Sequence, residues 1–203
     1  MTVERYQVGR VISASNAQFA VGCRLLRSQV PTFGALVRTE TEAENEVTIV
    51  GLIRDVQLLD DPLVRQVAVM IEERPELIAD QYQRLLPIEV QVKVAGYHCD
   101  GRWCHWLPPQ PPMSLAQIVT CTDEELCAFS QRLDYFRLIL DSRDALSDEL
   151  LAAHLRHAAA ARARADARGS AGGEFLVEAG RELARLLAGD LLRLDALLRR
   201  IRP

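Results

Sequence analysis

Glycine recurs within and at the ends of short β-branched runs between residues 9 and 53, and this constrains the fold more than any other feature of the chain. Gly9-Arg10-Val11-Ile12-Ser13 opens a strand and Ala17-Gln18-Phe19-Ala20-Val21-Gly22-Cys23 continues it. Pro31-Thr32-Phe33-Gly34-Ala35-Leu36-Val37 turns a corner, and Val47-Thr48-Ile49-Val50-Gly51-Leu52-Ile53 closes. A tightly bent sheet needs glycine where bulges and corners forbid a side chain. These segments predict one half of a small β-barrel.

The next segments extend the pattern. The stretch 39–46, with Glu40, Glu42, Glu44 and Glu46, separates two apolar runs and reads as an exposed hairpin connection. A second connection begins at Leu59-Asp60-Asp61-Pro62, after which residues 64–71 offer another strand. Pro75 suits the first turn of a short helix with Leu77, Ile78, Tyr82, Leu85 and Leu86 on its apolar face, and Pro87 ends it. The alternating run Ile88-Glu89-Val90-Gln91-Val92-Lys93-Val94 then predicts a half-buried strand.

Leu107-Pro108-Pro109-Gln110-Pro111-Pro112 lacks amide donors and favours an extended strap or junction, with a proline-rich ligand for an SH3-like partner as the sharper reading. Beyond it the periodicity becomes helical. Thr122-Asp123-Glu124-Glu125 is a capping box, followed by Leu126, Phe129, Leu133, Phe136 and Leu140 on one face. A second helix is expected from Ser147 to about Arg168, broken by Gly169-Ser170-Ala171-Gly172-Gly173. A last helix from about Glu174 carries Leu183, Leu187, Leu191, Leu194, Leu198 and Ile201 as a heptad-like seam, a surface for bundle packing or for a homo-oligomer. The expected fold class is therefore α+β: residues 1–106 form a small β-barrel domain with one short helical insertion, 107–121 a proline-rich strap, and 122–203 a C-terminal α-helical domain.

Gly9-Arg10-Val11-Ile12, the 31–37 corner and Ile49-Val50-Gly51-Leu52-Ile53 resemble the HAS-barrel, the small barrel shared by HerA-type DNA translocases and the catalytic-ring subunits of rotary ATP synthase. Trp106-Leu107-Pro108-Pro109-Gln110-Pro111-Pro112, Cys121 and Phe175-Leu176-Val177-Glu178-Ala179-Gly180-Arg181 are similar to those of stand-alone bacterial HAS-barrel proteins. The resemblance implies a barrel that holds neighbouring subunits together or meets a partner, detached from the ATPase core that carries the chemistry.

Composition excludes several activities. The only lysine, Lys93, lies in a strand-like run, so no glycine-rich loop is followed by the lysine that a P-loop requires. No Gly-x-Ser-x-Gly elbow and no His-Glu-x-x-His occurs. A net charge of −4 gives no general attraction to phosphate backbones. No apolar run is long enough to span a bilayer, the N-terminus lacks the pattern of a signal peptide, and the five cysteines are odd in number. The chain reads as cytoplasmic, with reduced thiols and no cofactor.

Three clusters carry chemistry-bearing residues. Tyr97-His98-Cys99-Asp100-Gly101-Arg102-Trp103-Cys104-His105-Trp106 places Cys99, Cys104, His98 and His105 within eight positions, the donor types of a zinc site, with Cys121 and Cys127 as further thiols. Asp100-Gly101 is equally a hairpin turn signal that sets Cys99 and Cys104 on opposing strands, so a packed structural hairpin and a redox disulfide are the alternatives. Asp55, Asp60 and Asp61 ahead of Gln91-Val92-Lys93 match a loose pattern of metal-dependent nucleases, and a polar strand face explains the same residues. His154, Arg156, His157, Arg162, Arg164 and Arg168, diluted only by Asp166, form the one basic stretch, a candidate nucleic-acid contact or a solvated helix face. The resulting expectation is a non-catalytic interaction or assembly module with a protein partner, and the alternative is an accessory factor contacting DNA or a DNA-translocase complex.

Overall fold

The computed structural model describes residues 5–25, 31–39, 47–58, 86–140, 145–166 and 169–202. Seven strands are present among them: β1 (Gln7–Ala14), β2 (Gln18–Leu25), β3 (Leu36–Thr39), β4 (Thr48–Leu58), β5 (Leu86–Cys99), β6 (Arg102–Cys104) and β7 (Gln117–Thr120). Six close into an antiparallel barrel in the order β2-β1-β7-β3-β4-β5, with β5 pairing back onto β2, and β6 extends β5 as a hairpin. The expected 39–46 connection lies beyond Thr39 outside the described residues. So do the 64–71 strand and the helix expected after Pro75.

The opening run is two strands rather than one. The chain reverses at Ser15-Asn16, where Ser15 N–H donates to Gln18 C=O (2.8 Å) and Ser15 Oγ accepts from Gln18 N–H (3.2 Å). Closure comes from the β5–β2 ladder, whose eight register pairs run from Gln18↔Lys93 to Leu25↔Leu86, and not from the 47–53 segment. Within the stretch expected as the strap, 107–121, Gln117–Thr120 form a barrel strand between β1 and β3, so the barrel draws on residues beyond 106. This short run carries too little alternation to announce itself beside the prolines.

β4 shows why its sequence is continuously apolar. Ile49 and Ile53 fill the barrel interior with Val21, Val37, Val90 and Val92, while Val50 and Leu52 face outward into a second core shared with the helices. Both faces are buried, so alternation disappears. Gly51 meets β5 closely: a Cβ there would lie 2.6 Å from Val92 Cγ1 and 2.7 Å from Lys93 O.

Five helices follow among the described residues: α1 (Asp123–Phe129), α2 (Phe136–Leu140), α3 (Ala145–Ala165), α4 (Ala171–Leu186) and α5 (Leu191–Ile201). The capping box is formed, with Glu125 N–H donating to Thr122 Oγ1 and Thr122 N–H to Glu125 Oε2. Leu126, Phe129, Leu133, Phe136 and Leu140 are all buried, but the single expected helix is broken at Ser130. Ser130 Oγ donates back to Leu126 C=O, and Arg162 of α3 donates to Cys127 C=O at 3.2 Å. An external guanidinium thus satisfies a carbonyl that a longer helix would have used itself.

α3 is the central helix. Leu150, Leu151, Ala152, Leu155, Ala158 and Ala161 are fully or almost fully buried around its circumference, as expected of a helix enclosed by others. The leucine seam is corrected: α4 ends at Leu186, and Asp190 Oδ1 caps a new helix by accepting from Arg193 N–H (3.1 Å). Leu183, Leu187 and Ile201 are buried, whereas Leu191 is 70% exposed and the unanticipated Leu197 is fully buried. The chain folds back so that both helices pack on α3 instead of extending one stripe. Arg193 fixes this return, pairing with Asp148 (2.6 Å) at the start of α3 and donating to Leu140 C=O (3.2 Å).

Candidate functional site

Asp100 and Gly101, at φ 48° and 72°, form the tight turn between β5 and β6, the backbone that an Asp-Gly pair favours. The register pairs Tyr97 with Cys104, His98 with Trp103 and Cys99 with Arg102. Side chains alternate along a strand and match across it, so Tyr97, Cys99 and Cys104 share one face and His98 takes the other with Trp103. The His98 and Trp103 rings are 4.7 Å apart, and Trp103 meets Phe129 edge-on at 5.6 Å. His105 is buried between Phe129 (4.7 Å) and Tyr135 (5.3 Å), and burial lowers its pKa. The four-donor cluster Cys99, Cys104, His98 and His105 is therefore divided among different environments. Among the described residues no group of three or more His, Cys, Asp or Glu side chains is arranged to hold a metal.

The strap presents a different kind of feature. It is tied to the barrel where Asn16 Nδ2 donates to Pro108 C=O (2.8 Å), Leu115 N–H to Val11 C=O (2.9 Å) and Val11 N–H to Ala116 C=O (3.0 Å). Between these ties Leu115 adopts φ 65°, the left-handed region, which costs a bulky L-residue roughly 1–2 kcal/mol. Arg10 Nη1 holds that geometry by donating to Leu115 C=O (2.9 Å). The strained residue leaves its own side chain 66% exposed beside Met113, 76% exposed. Trp106, Leu107 and, on β1, Ile12 are exposed as well.

The barrel and helices meet through two histidines of α3. His157 Nε2–H donates to Phe33 C=O (3.0 Å), and His154 lies between Gly34 C=O (3.3 Å) and the Tyr135 hydroxyl (3.0 Å). A carbonyl only accepts, so His154 carries its proton on Nδ1 and accepts from Tyr135 at Nε2. Burial lowers the His154 pKa to about 3 and raises that of the Tyr135 phenol. Both groups are held neutral as structural partners.

Arg162 and Arg164 are engaged within the fold. Arg162 donates to Ser130 Oγ (2.9 Å) and Cys127 C=O and stacks 3.9 Å over Phe175, while Arg164 grips Asp123 through two hydrogen bonds of 2.8 and 2.7 Å. Arg168 lies outside the described residues. Of the nuclease-like set, Asp55 and Gln91 are register partners, but Asp55 accepts from Val56 N–H and Gln57, and Gln91 donates to Glu89. Asp60 and Asp61 lie outside the described residues. An open cleft of about 460 Å³ between residues 131–134 and α4 is lined by charges that include the pairs Arg132–Asp134 (2.8 Å) and Arg185–Glu182.

No family model and no curated protein matches the chain. No helix among the described residues is long and apolar enough to cross a membrane. Sequence reasoning missed the Met113–Leu115 tip and the Tyr135–His154 pair. Two large apolar residues directly after a proline strap were a readable signal for the first, but nothing local marks Tyr135 as buried.

Proposed function

We propose that this chain is a non-catalytic interaction or assembly module of the HAS-barrel type, and that it meets a protein partner through the strap tip at Met113 and Leu115. The observation that carries this reading is Leu115: a strained backbone, braced by Arg10, displays an apolar side chain instead of burying it. Backbone strain that the surrounding structure maintains is characteristic of binding positions, and exposed large apolar side chains are what a partner covers. The closed antiparallel barrel, with Gly34 and Gly51 at a bend and a close strand contact, supports the HAS-barrel assignment.

Capture by the full chain from a lysate of its source cells, compared with capture by a Met113→Ser/Leu115→Gly variant, tests the proposal. A protein retained by the parent chain and lost by the variant is expected. Equal recovery by both, or recovery by neither, rejects the strap tip as the contact.

A further inference from the structure

We propose that Cys99 and Cys104 form a two-thiolate site for a soft monovalent cation, Cu(I), on the face of the β5–β6 hairpin that Tyr97 shares, opposite His98 and Trp103. Both are free, partly exposed thiols on the same face, one step apart along opposing strands because Tyr97 pairs with Cys104 and Cys99 with Arg102. Diagonal neighbours of this kind stand about 7–8 Å apart at Cα. A disulfide, with sulfurs only about 2 Å apart, requires Cα atoms within about 7 Å and so would need the backbone to move. A metal held between two thiolates sets the sulfurs roughly twice a metal–sulfur bond of about 2.3 Å apart, which suits the wider diagonal.

The donor set selects the metal. His98 is on the opposite face and His105 lies between Phe129 and Tyr135, so neither joins the thiols. Among the described residues no third His, Cys, Asp or Glu completes a cluster with them. Zinc takes four ligands in a closed site or three plus water, whereas soft thiolates alone suit Cu(I). Tyr97 walls the same face, its hydroxyl accepting a hydrogen bond from Trp106 Nε1–H (2.9 Å). A thiol bound to a metal gives up its proton, so both cysteines coordinate as thiolates. Binding converts two thiols and one Cu(I) into a bis-thiolate anion and releases two protons, with no change of oxidation state.

Anaerobic titration of the reduced full chain with Cu(I), in competition with bicinchoninate, reads the site directly. A single ion per chain is expected, with retention lost in Cys99→Ser and in Cys104→Ser and kept in Cys23→Ser/Cys127→Ser. In the unmodified chain, Cu(I) should also protect Cys99 and Cys104 from iodoacetamide, as read by peptide mass spectrometry, a measurement that needs no variant. Failure of the parent chain to retain Cu(I), retention undiminished in the double Cys99→Ser/Cys104→Ser variant, or alkylation of both thiols unaffected by Cu(I) would overturn the proposal. So would Zn(II) held through the same two cysteines, which would require a larger ligand set.

Discussion

His154 on α3 donates its Nδ1–H to the carbonyl of Gly34 at the corner before β3, joining the helices to the barrel across 120 positions of sequence. Gly34 is at φ 81°, and a Cβ there would lie 2.6 Å from Ala153 Cβ and 2.8 Å from His154 N. The corner can approach the helix only because it has no side chain. Gly34→Ala therefore adds left-handed strain to a steric conflict, and a loss of at least ~2 kcal/mol is expected from urea unfolding. An unchanged midpoint and slope would show that the joint has room to adjust.

His154 also sets a pH dependence. Its pKa is about 3 when folded against 6.5 ordinarily, so below pH 6.5 the unfolded chain binds a proton that the folded chain refuses. Its contribution is present above pH 6.5 and is lost as pH falls toward 3, by up to about 1.4 kcal/mol per pH unit. His154→Asn, which keeps a donor near the Nδ1 position but does not titrate, should flatten this slope while costing roughly 1–3 kcal/mol at pH 7 through the unsatisfied Tyr135 hydroxyl. Unfolding series at pH 7, 5.5 and 4 for the two proteins provide the comparison.

Arg164→Ala should lower stability by about 1–2 kcal/mol, because it leaves the nearly buried Asp123 carboxylate without its bidentate partner. The range is kept modest since Arg164 is itself more than one-third exposed. Thermal unfolding measures it. A stability unaffected by the substitution would release this arginine for an external ligand such as DNA.

Two leucines of similar appearance within α5, Leu192 and Leu197, differ sharply in burial. Leu197→Ala, at a fully buried position, should cost roughly 2–5 kcal/mol. Leu192→Gln, at 87% exposure, should stay within about 0.5 kcal/mol of the parent. A large loss at Leu192 would indicate that another surface covers it in solution, which sedimentation of the same samples would detect.

Leu115→Gly reverses the usual sign for losing a leucine. Relief of roughly 1–2 kcal/mol of left-handed strain opposes the roughly 0.5–1 kcal/mol entropic cost of glycine, so stability should hold or rise slightly. A marked loss in chemical denaturation would mean that the exposed side chain contributes packing.

Local chemistry made several elements legible: the Asp100-Gly101 turn, the Thr122–Glu125 capping box, the strand after Pro87 and the helix over most of 147–168. Each follows from residues close together in the chain, so each was determined by sequence alone. What tertiary structure decided depends on partners far away in sequence. The Leu126–Leu140 helix breaks where Arg162 of α3 satisfies a carbonyl, and the leucine seam divides where Arg193 reaches Asp148. The cysteine hairpin was readable as a turn, but the β-ladder register separated His98 from the thiols and the aromatic cluster drew His105 inside. Spacing lists possible ligands, whereas the pleat and the packing decide which of them share a face.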